Sequence, residues 1–112
     1  MVVDSELSEI AVDRIFRALA DSTRRDILRR SSIEELNVSD LAAQYRMSFA
    51  AVQKHVAVLE AAELVIKRVQ GRERLVRADP KTIAKAETLL KQYQQIWRDR
   101  IDRLDNLLAT DP

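Results

Sequence analysis

Cysteine is absent from this chain of 112 residues, and histidine occurs once, as His55. The lack of cysteine excludes disulfide frameworks, thiolate metal sites and cysteine nucleophiles, and it is compatible with a reducing compartment. Because one histidine leaves little to hold a metal, we predict no metal site and no other cofactor. The chain has one glycine and two prolines, too few for a sheet-rich fold with many tight turns, so the composition predicts mostly helix.

Long apolar runs are also missing, since no stretch reaches the length of about 18 apolar residues that a membrane span needs. The first nine residues carry three acids and no cation, unlike a secretory signal. We therefore expect no membrane association and a cytoplasmic location. With 46% hydrophobic residues, the chain is predicted to form one compact soluble domain over residues 1–112.

The net charge of +1 conceals an uneven distribution. Residues 46–77 hold seven Lys and Arg against three Asp and Glu, whereas the remainder has an excess of three anions. A nucleic-acid surface needs local positive charge, so this segment is a candidate for DNA contact. A solvated charged face explains the same run equally well from charge alone.

Apolar residues at intervals of three and four predict an amphipathic first helix over residues 6–20. Asp21 is the predicted N-cap of a second helix, because its carboxylate can accept from the free N–H groups of the first turn. The buried stripe of this helix is expected to hold Ile27, Leu28 and Ile33, and its outer side Arg24, Arg25, Arg29 and Arg30.

The third and fourth predicted helices are separated by a very short turn. Asn37 is the predicted N-cap of the third, with Asp40 reaching back as in a capping box. Ser48 is the predicted N-cap of the fourth, over residues 48–62, whose buried row holds Val52, Val56 and Leu59. Two helices joined in this way form a helix-turn-helix.

Alternating residues then predict a β-hairpin over residues 65–77 with Gly71 at its tip. Pro80 suits the first position of a last helix, where its missing N–H loses no bond. The order of elements predicts a mainly α fold with one β-hairpin, a winged helix-turn-helix. Residues 12–79 would be the DNA-binding module and residues 80–108 the dimerisation helix.

The last helix carries an apolar stripe for about 29 residues, or roughly 43 Å. A module of some 60 to 70 residues is only about 25 to 30 Å across, so part of the stripe would face water. We predict that the stripe pairs two copies of the chain; the alternative is a helix folded back over its own monomer. The predicted interface residues are Ile10, Leu89, Leu90, Tyr93, Trp97, Ile101, Leu104 and Leu108.

The fourth helix is expected to present its first turns to base edges in the major groove. Gln53 suits a contact to adenine, Lys54 one to guanine or phosphate, and Phe49 one to thymine methyl groups. Gln53 and Lys54 also suit an ordinary exposed helix surface, and the alternative for Phe49 is packing under the turn. His55 fits either a phosphate contact or a partly buried polar position. The candidate DNA-binding residues are Ser48, Phe49, Ala50, Ala51, Gln53, Lys54 and His55 on the helix, and Arg68, Arg72 and Arg74 on the wing, where phosphate or minor-groove contact is expected.

The segments 16–28, 38–42, 47–48, 52–56 and 64–65, together with Leu59, resemble the ArsR type of transcriptional regulator over about residues 12–79. The most specific runs are Ala-Leu-Ala-Asp-x-Thr-Arg-Arg and Lys-His-Val-x-Val-Leu. The resemblance implies a bacterial or archaeal homodimer that binds double-stranded operator DNA, usually as a repressor, and pairs through its first and last helices.

Three departures from the family pattern matter. Family metal sensors carry cysteines at the start of the third helix, where residues 37–40 have none, or histidines on the last helix, which also has none. Metal sensing there is not expected, and Asp99, Asp102 and Asp105 fit a solvated helix face better. Ser22 replaces a family proline. Glu63 replaces a glycine, which costs about 1 kcal/mol if its backbone is left-handed.

Two other functions are compatible with the sequence. The alternative is a winged-helix protein interaction module without DNA binding, in which the helix with Trp97 engages a different chain. An enzyme is the weakest reading, because no glycine-rich phosphate loop, nucleophile elbow or metal-ligand cluster is present. A small-molecule effector remains unknown: a pocket near Tyr93 and Trp97 suits an apolar one, and core packing explains these aromatics as well.

Overall fold

The computed structural model of the chain describes residues 7–109. These residues form five helices and three strands: α1 (Glu9–Leu19), α2 (Ser22–Ser31), β1 (Leu36–Asn37), α3 (Val38–Tyr45), α4 (Phe49–Ala61), β2 (Val65–Gln70), β3 (Glu73–Ala78) and α5 (Pro80–Ala109). The predicted order of helices and hairpin is confirmed, and strand β1 is an addition to it.

Side-chain caps fix where three of the predicted helices begin. The Asp21 carboxylate accepts from the N–H of Arg24 at 3.0 Å, Asn37 Oδ1 from the N–H of Ser39 at 2.9 Å, and Ser48 Oγ from the N–H of Ala51 at 3.1 Å. Each bond satisfies an N–H group that has no partner within the helix. All three predicted caps are confirmed, whereas Asp40 makes no return bond to Asn37 in the part of the chain that the structure describes.

The sheet places β3 in the centre, between β1 and β2. The hairpin pairs β2 with β3 from Val65 opposite Ala78 to Gln70 opposite Glu73, and Gly71 turns its tip at a φ of +62°. Strand β1 places Leu36 opposite Val76. A strand of two residues is too short to show alternation in the sequence, which is why it was not predicted.

The core lies between α1 to α4 and the inner face of the sheet. The predicted row of α4 is fully buried there, and the largest buried side chains are Ile27, Leu41, Leu59, Leu64, Val38, Val52, Val56 and Val76. The prediction that Ile33 is buried is wrong, because α2 ends at Ser31 and leaves Ile33 76% exposed beyond the helical face.

Helix α5 runs for 30 residues away from the module and gives the described chain a length of 72 Å against widths of 31 and 23 Å. Thr82, near its start, is the only buried residue on it. The alternative in which this helix folds back over its own monomer is therefore wrong. Between residues 7 and 109, no helix has the length and apolar character to cross a membrane.

Candidate nucleic-acid interface

The guanidinium of Arg24 joins three helices. Its Nε donates to the carbonyl oxygen of Ala18 at 2.9 Å and its Nη2 to that of Arg17 at 2.9 Å, both near the end of α1. Its Nη1 lies 3.3 Å from Nδ1 of His55 on α4. Arg24 thus closes the C-terminal end of α1, where a cation is favoured, and positions α4 against it.

Arg24 is half-buried and turns toward α1, so it does not line the outer side of α2 as predicted, whereas Arg25 is exposed as expected. Arg25 likewise turns back and donates to the carbonyl oxygen of Leu19 at 2.7 Å. Both side chains cross the turn between α1 and α2, which brings the last carbonyls of α1 beside the first turn of α2. This arrangement gives the Thr-Arg-Arg run a structural role at the joint.

His55 is half-buried and faces this joint. Its Nδ1 lies 3.8 Å from the carboxylate of Asp21. The N–H of Arg24 bonds to that carboxylate and holds the pKa of Asp21 below its ordinary value, with His55 and the Arg24 guanidinium acting in the same direction against desolvation. Of the two interpretations of His55, the structure brings out the partly buried polar one.

The start of α4 is the accessible part of the predicted recognition helix. Ser48, Ala50 and Lys54 are exposed and Phe49 is 42% exposed, whereas Ala51 is half-buried. Gln53 is half-buried too, and its Oε1 is buried with no hydrogen-bond partner in the described chain. The reason is helical spacing: Gln53 lies three residues before Val56 and so flanks the buried row.

Two turns beside α4 pass through left-handed backbone. Arg46 ends α3 at a φ of 55°, and Glu63 follows the end of α4 at a φ of 59°. The N–H groups of Arg46 and Met47 satisfy the last carbonyls of α3, as in an αL helix end. The side chain of Arg46 is exposed and has no hydrogen bond or ion pair within residues 7–109. The sequence reasoning counted Arg46 in the basic segment but not among the contact residues.

The wing arginines differ in whether their guanidinium groups are paired with a carboxylate. Arg72 and Arg74 lie at the exposed tip and have no ion-pair partner among the residues described. Arg68 instead forms a bidentate ion pair with Glu35, in which Nε and Nη2 donate to the two carboxylate oxygens at 2.8 and 2.7 Å. This bond holds the pKa of Glu35 below its ordinary value. Sequence reasoning missed this pair because Glu35 and Arg68 are 33 residues apart in the chain. They meet because strand β1, which follows Glu35, pairs with β3 in the sheet.

A second polar cluster ties α3 to α2. The hydroxyl of Tyr45 donates to Asp26, which also accepts from Arg29, and Arg30 lies 5.7 Å from the centre of the Tyr45 ring. The two bonds, led by that from Tyr45, hold the pKa of Asp26 below its ordinary value. Burial, together with the bond to Asp26, raises the pKa of Tyr45. The first helix of the helix-turn-helix is thereby anchored to the module.

The predicted pairing surface is open along most of its length. Leu89 is half-buried, whereas Trp97 is 58% exposed and the other predicted members are exposed as well: Ile10, Leu90, Tyr93, Ile101, Leu104 and Leu108. Within the described ranges, no group of three or more His, Asp or Glu side chains is arranged to hold a metal ion.

Comparison with known proteins finds similarity to transcriptional regulators. The sequence pattern described as Bacterial regulatory protein, arsR family, matches residues 21–67. The HTH-type transcriptional regulator Rv2034 of Mycobacterium tuberculosis is 40% identical over 81 residues, which cover 72% of this chain and 76% of that protein.

Solved structures agree with this fold. An ArsR-like transcriptional regulator from Rhodococcus sp. RHA1 superposes with a TM-score of 0.76 at 28% identity, covering 88% of this chain and 92% of that one. The solution structure of a homodimeric winged helix-turn-helix DNA-binding domain from Mycobacterium bovis gives a TM-score of 0.59 at 22% identity, covering 77% of this chain and 82% of that one. The winged helix-turn-helix architecture is thus confirmed.

Proposed function

The chain belongs to the arsR family of bacterial regulatory proteins, and we propose that it acts as a homodimer that binds a specific double-stranded operator and represses transcription. Family membership makes it a transcriptional regulator rather than an enzyme. The observation that carries the proposal is the exposure of two parts of the fold: the first turns of α4, and the wing tip, where Arg72 and Arg74 have no ion-pair partner within residues 7–109. Its site of action would be the cytoplasm, where bacterial DNA lies.

In the proposed complex, α4 enters the major groove with its N-terminal turns first. Lys54 reaches guanine or phosphate and Phe49 meets thymine methyl groups, while the start of the helix at Ser48 approaches a phosphate. Gln53 contacts a base only after its side chain turns outward. Because its Oε1 is buried without a partner, that turn exchanges an unsatisfied acceptor for a satisfied one.

The wing supplies affinity more than sequence choice. Arg72 and Arg74 are proposed to contact phosphates or the minor groove, and such contacts make binding depend steeply on salt. Arg68 can contact a phosphate only after its ion pair with Glu35 breaks, so we assign it a smaller contribution to the affinity for DNA. His55 is assigned to positioning α4 through Arg24, with any phosphate contact made from the outer edge of its ring.

Dimerisation is proposed to occur through α5 with help from α1. The apolar face from Leu90 to Leu108 is exposed in the monomer, and covering it removes that surface from water. The Mycobacterium bovis domain of the same fold is described as homodimeric. In this arrangement residues 12–79 form the DNA-binding module and residues 80–108 the pairing helix, with half-sites about 34 Å apart.

The test is fluorescence anisotropy with a labelled duplex across a salt series. The logarithm of the affinity should fall steeply with the logarithm of the salt concentration, by about 0.9 for each phosphate contact. The double variant Arg72→Ala, Arg74→Ala should flatten that slope. A control, Arg29→Ala with Arg98→Ala, removes the same charge outside the proposed surface and should leave the slope nearly unchanged. Binding that is indifferent to salt, or a monomer without DNA affinity, would refute the proposal and favour a protein interaction module.

A further inference from the structure

We propose that Arg46, in the turn between α3 and α4, binds a phosphate of the DNA backbone beside the start of α4. The inference rests on the proposed function, since it adds a contact to that surface. It depends on three observations about one residue: its backbone conformation, the freedom of its side chain and its place in the turn.

The backbone at Arg46 is left-handed, with a φ of 55°. Glycine adopts this conformation without a steric penalty, and asparagine adopts it more readily than other residues with side chains. An arginine there makes the turn less stable than glycine would. Within the fold, nothing compensates: its side chain has neither a hydrogen bond nor an ion pair among the described residues.

Arg46 is exposed and lies beside the start of α4, which is the end of the helix proposed to enter the major groove. It lies two residues before Ser48, the N-cap of α4, so the two Cα atoms are within about 7 Å. When the start of α4 enters the groove, the turn before it lies over the rim, where phosphates are. A guanidinium matches a phosphate with two parallel hydrogen bonds, and a contact at this point would set the depth and register of α4.

Glu63 provides an internal comparison. It is the other described residue with a side chain and a positive φ, 59°, and it stands at the opposite end of α4. Substituting either residue with asparagine relieves the same kind of backbone strain. Only at Arg46 does the substitution remove a cation from the proposed DNA surface, so the two variants separate a backbone effect from a contact with DNA.

The experiment uses a duplex of about 30 base pairs, long enough for two half-sites one helical turn apart, selected from a random pool by the wild-type chain. Anisotropy over a salt series is measured for wild type, Arg46→Asn, Arg46→Lys and Glu63→Asn, and thermal unfolding is followed for each. Arg46→Asn should weaken binding about tenfold and reduce the salt slope by about 0.9 per copy, or about 1.8 for a dimer. Arg46→Lys should retain the slope, Glu63→Asn should not weaken binding, and both asparagine variants should unfold at a temperature no lower than that of wild type.

The results distinguish this inference from the function beneath it. If the wild-type chain selects no duplex, both fail. If wild type binds with a steep salt dependence and Arg46→Asn matches it, the proposed function stands and the assignment of Arg46 is overturned. A lower unfolding temperature for Arg46→Asn, or a loss of slope in Arg46→Lys equal to that in Arg46→Asn, would likewise overturn the assignment, because each indicates a role other than charge pairing with phosphate.

Discussion

Arg24 on α2 and His55 on α4 meet with 3.3 Å between Nη1 and Nδ1, while the same guanidinium holds two carbonyl oxygens of α1. One side chain therefore links the end of α1 to α4, beside the buried row of Val52, Val56 and Leu59 that packs α4 into the core. Since α4 is the proposed recognition helix, Arg24 links α1 to the element that is proposed to contact DNA.

The first prediction concerns this joint. Arg24→Ala should lower the free energy of unfolding by about 2 kcal/mol, because it removes charge-assisted bonds to two carbonyl oxygens of α1, that of Ala18 being partly buried. Urea unfolding followed by circular dichroism measures the loss. As a control, Arg29→Ala removes an exposed ion pair with Asp26 and should cost about 0.5 kcal/mol. Equal losses in the two variants would show that Arg24 is only a surface charge.

The second prediction concerns Tyr45 and pH. Tyr45→Phe should cost about 1 kcal/mol at neutral pH, because Asp26 loses a hydrogen bond. The pKa of Asp26 in the fold lies below its ordinary value of 3.8, so the stabilisation is complete above pH 3.8 and is lost as the pH falls through the lowered value. The penalty should therefore shrink in acid, as urea unfolding at neutral pH and at about pH 3 would show.

A control for this prediction is Tyr93→Phe on α5, where the hydroxyl has no hydrogen-bond partner in the described part of the chain. It should leave the dependence of stability on pH unchanged. A Tyr45→Phe penalty of the same size at both pH values would contradict the role assigned to Asp26.

Much of the fold follows from local signals in the sequence. The caps at Asp21, Asn37 and Ser48 are read from single residues, since a short polar side chain before an apolar period satisfies free N–H groups. The buried row of α4 is read from its helical period. These signals involve residues that are neighbours along the chain, so they can be interpreted without knowledge of the tertiary structure.

What the sequence did not predict depends on contacts between distant segments. Glu35 and Arg68 meet only because β1 joins the sheet, and Arg24 turns inward only because α1 ends beside it. Gln53 was predicted to lie on or near the side of α4 opposite the buried row and to contact adenine, yet the packing of α4 half-buries it. The exposure of Phe49 and Lys54 was predictable, whereas the pairing state of each cation was not.

The third prediction tests the left-handed positions through stability alone. Glu63→Gly should raise the free energy of unfolding by up to about 1 kcal/mol, because glycine tolerates positive φ. The reverse change, Gly71→Ala at a φ of +62°, should lower it by about 1 kcal/mol. No heavy atom lies within 4 Å of the added Cβ at Gly71, so the loss isolates the backbone. Chemical denaturation measures both, and a destabilised Glu63→Gly variant would contradict the assignment.

The fourth prediction concerns the ion pair between Glu35 and Arg68. Glu35→Gln should free the guanidinium for phosphate, strengthening duplex binding and steepening the salt slope by about 0.9 per copy. Glu34→Gln is the matched control, because it removes the same charge from a residue without an ion-pair partner within residues 7–109. Salt-series anisotropy compares them. Equal changes of slope in both variants would show that the ion pair with Glu35 does not keep Arg68 from contacting phosphate.

The central claim is that two copies of the chain, joined through α5, bind one duplex together. Sedimentation equilibrium of the chain with a selected duplex of about 30 base pairs measures it directly, since two half-sites one turn apart fit that length. We predict two chains per duplex for wild type, and, for a variant with Leu104→Asp in the apolar face of α5, a monomer that binds the duplex far more weakly. One wild-type chain per duplex, or full affinity in a monomeric variant, would contradict the account.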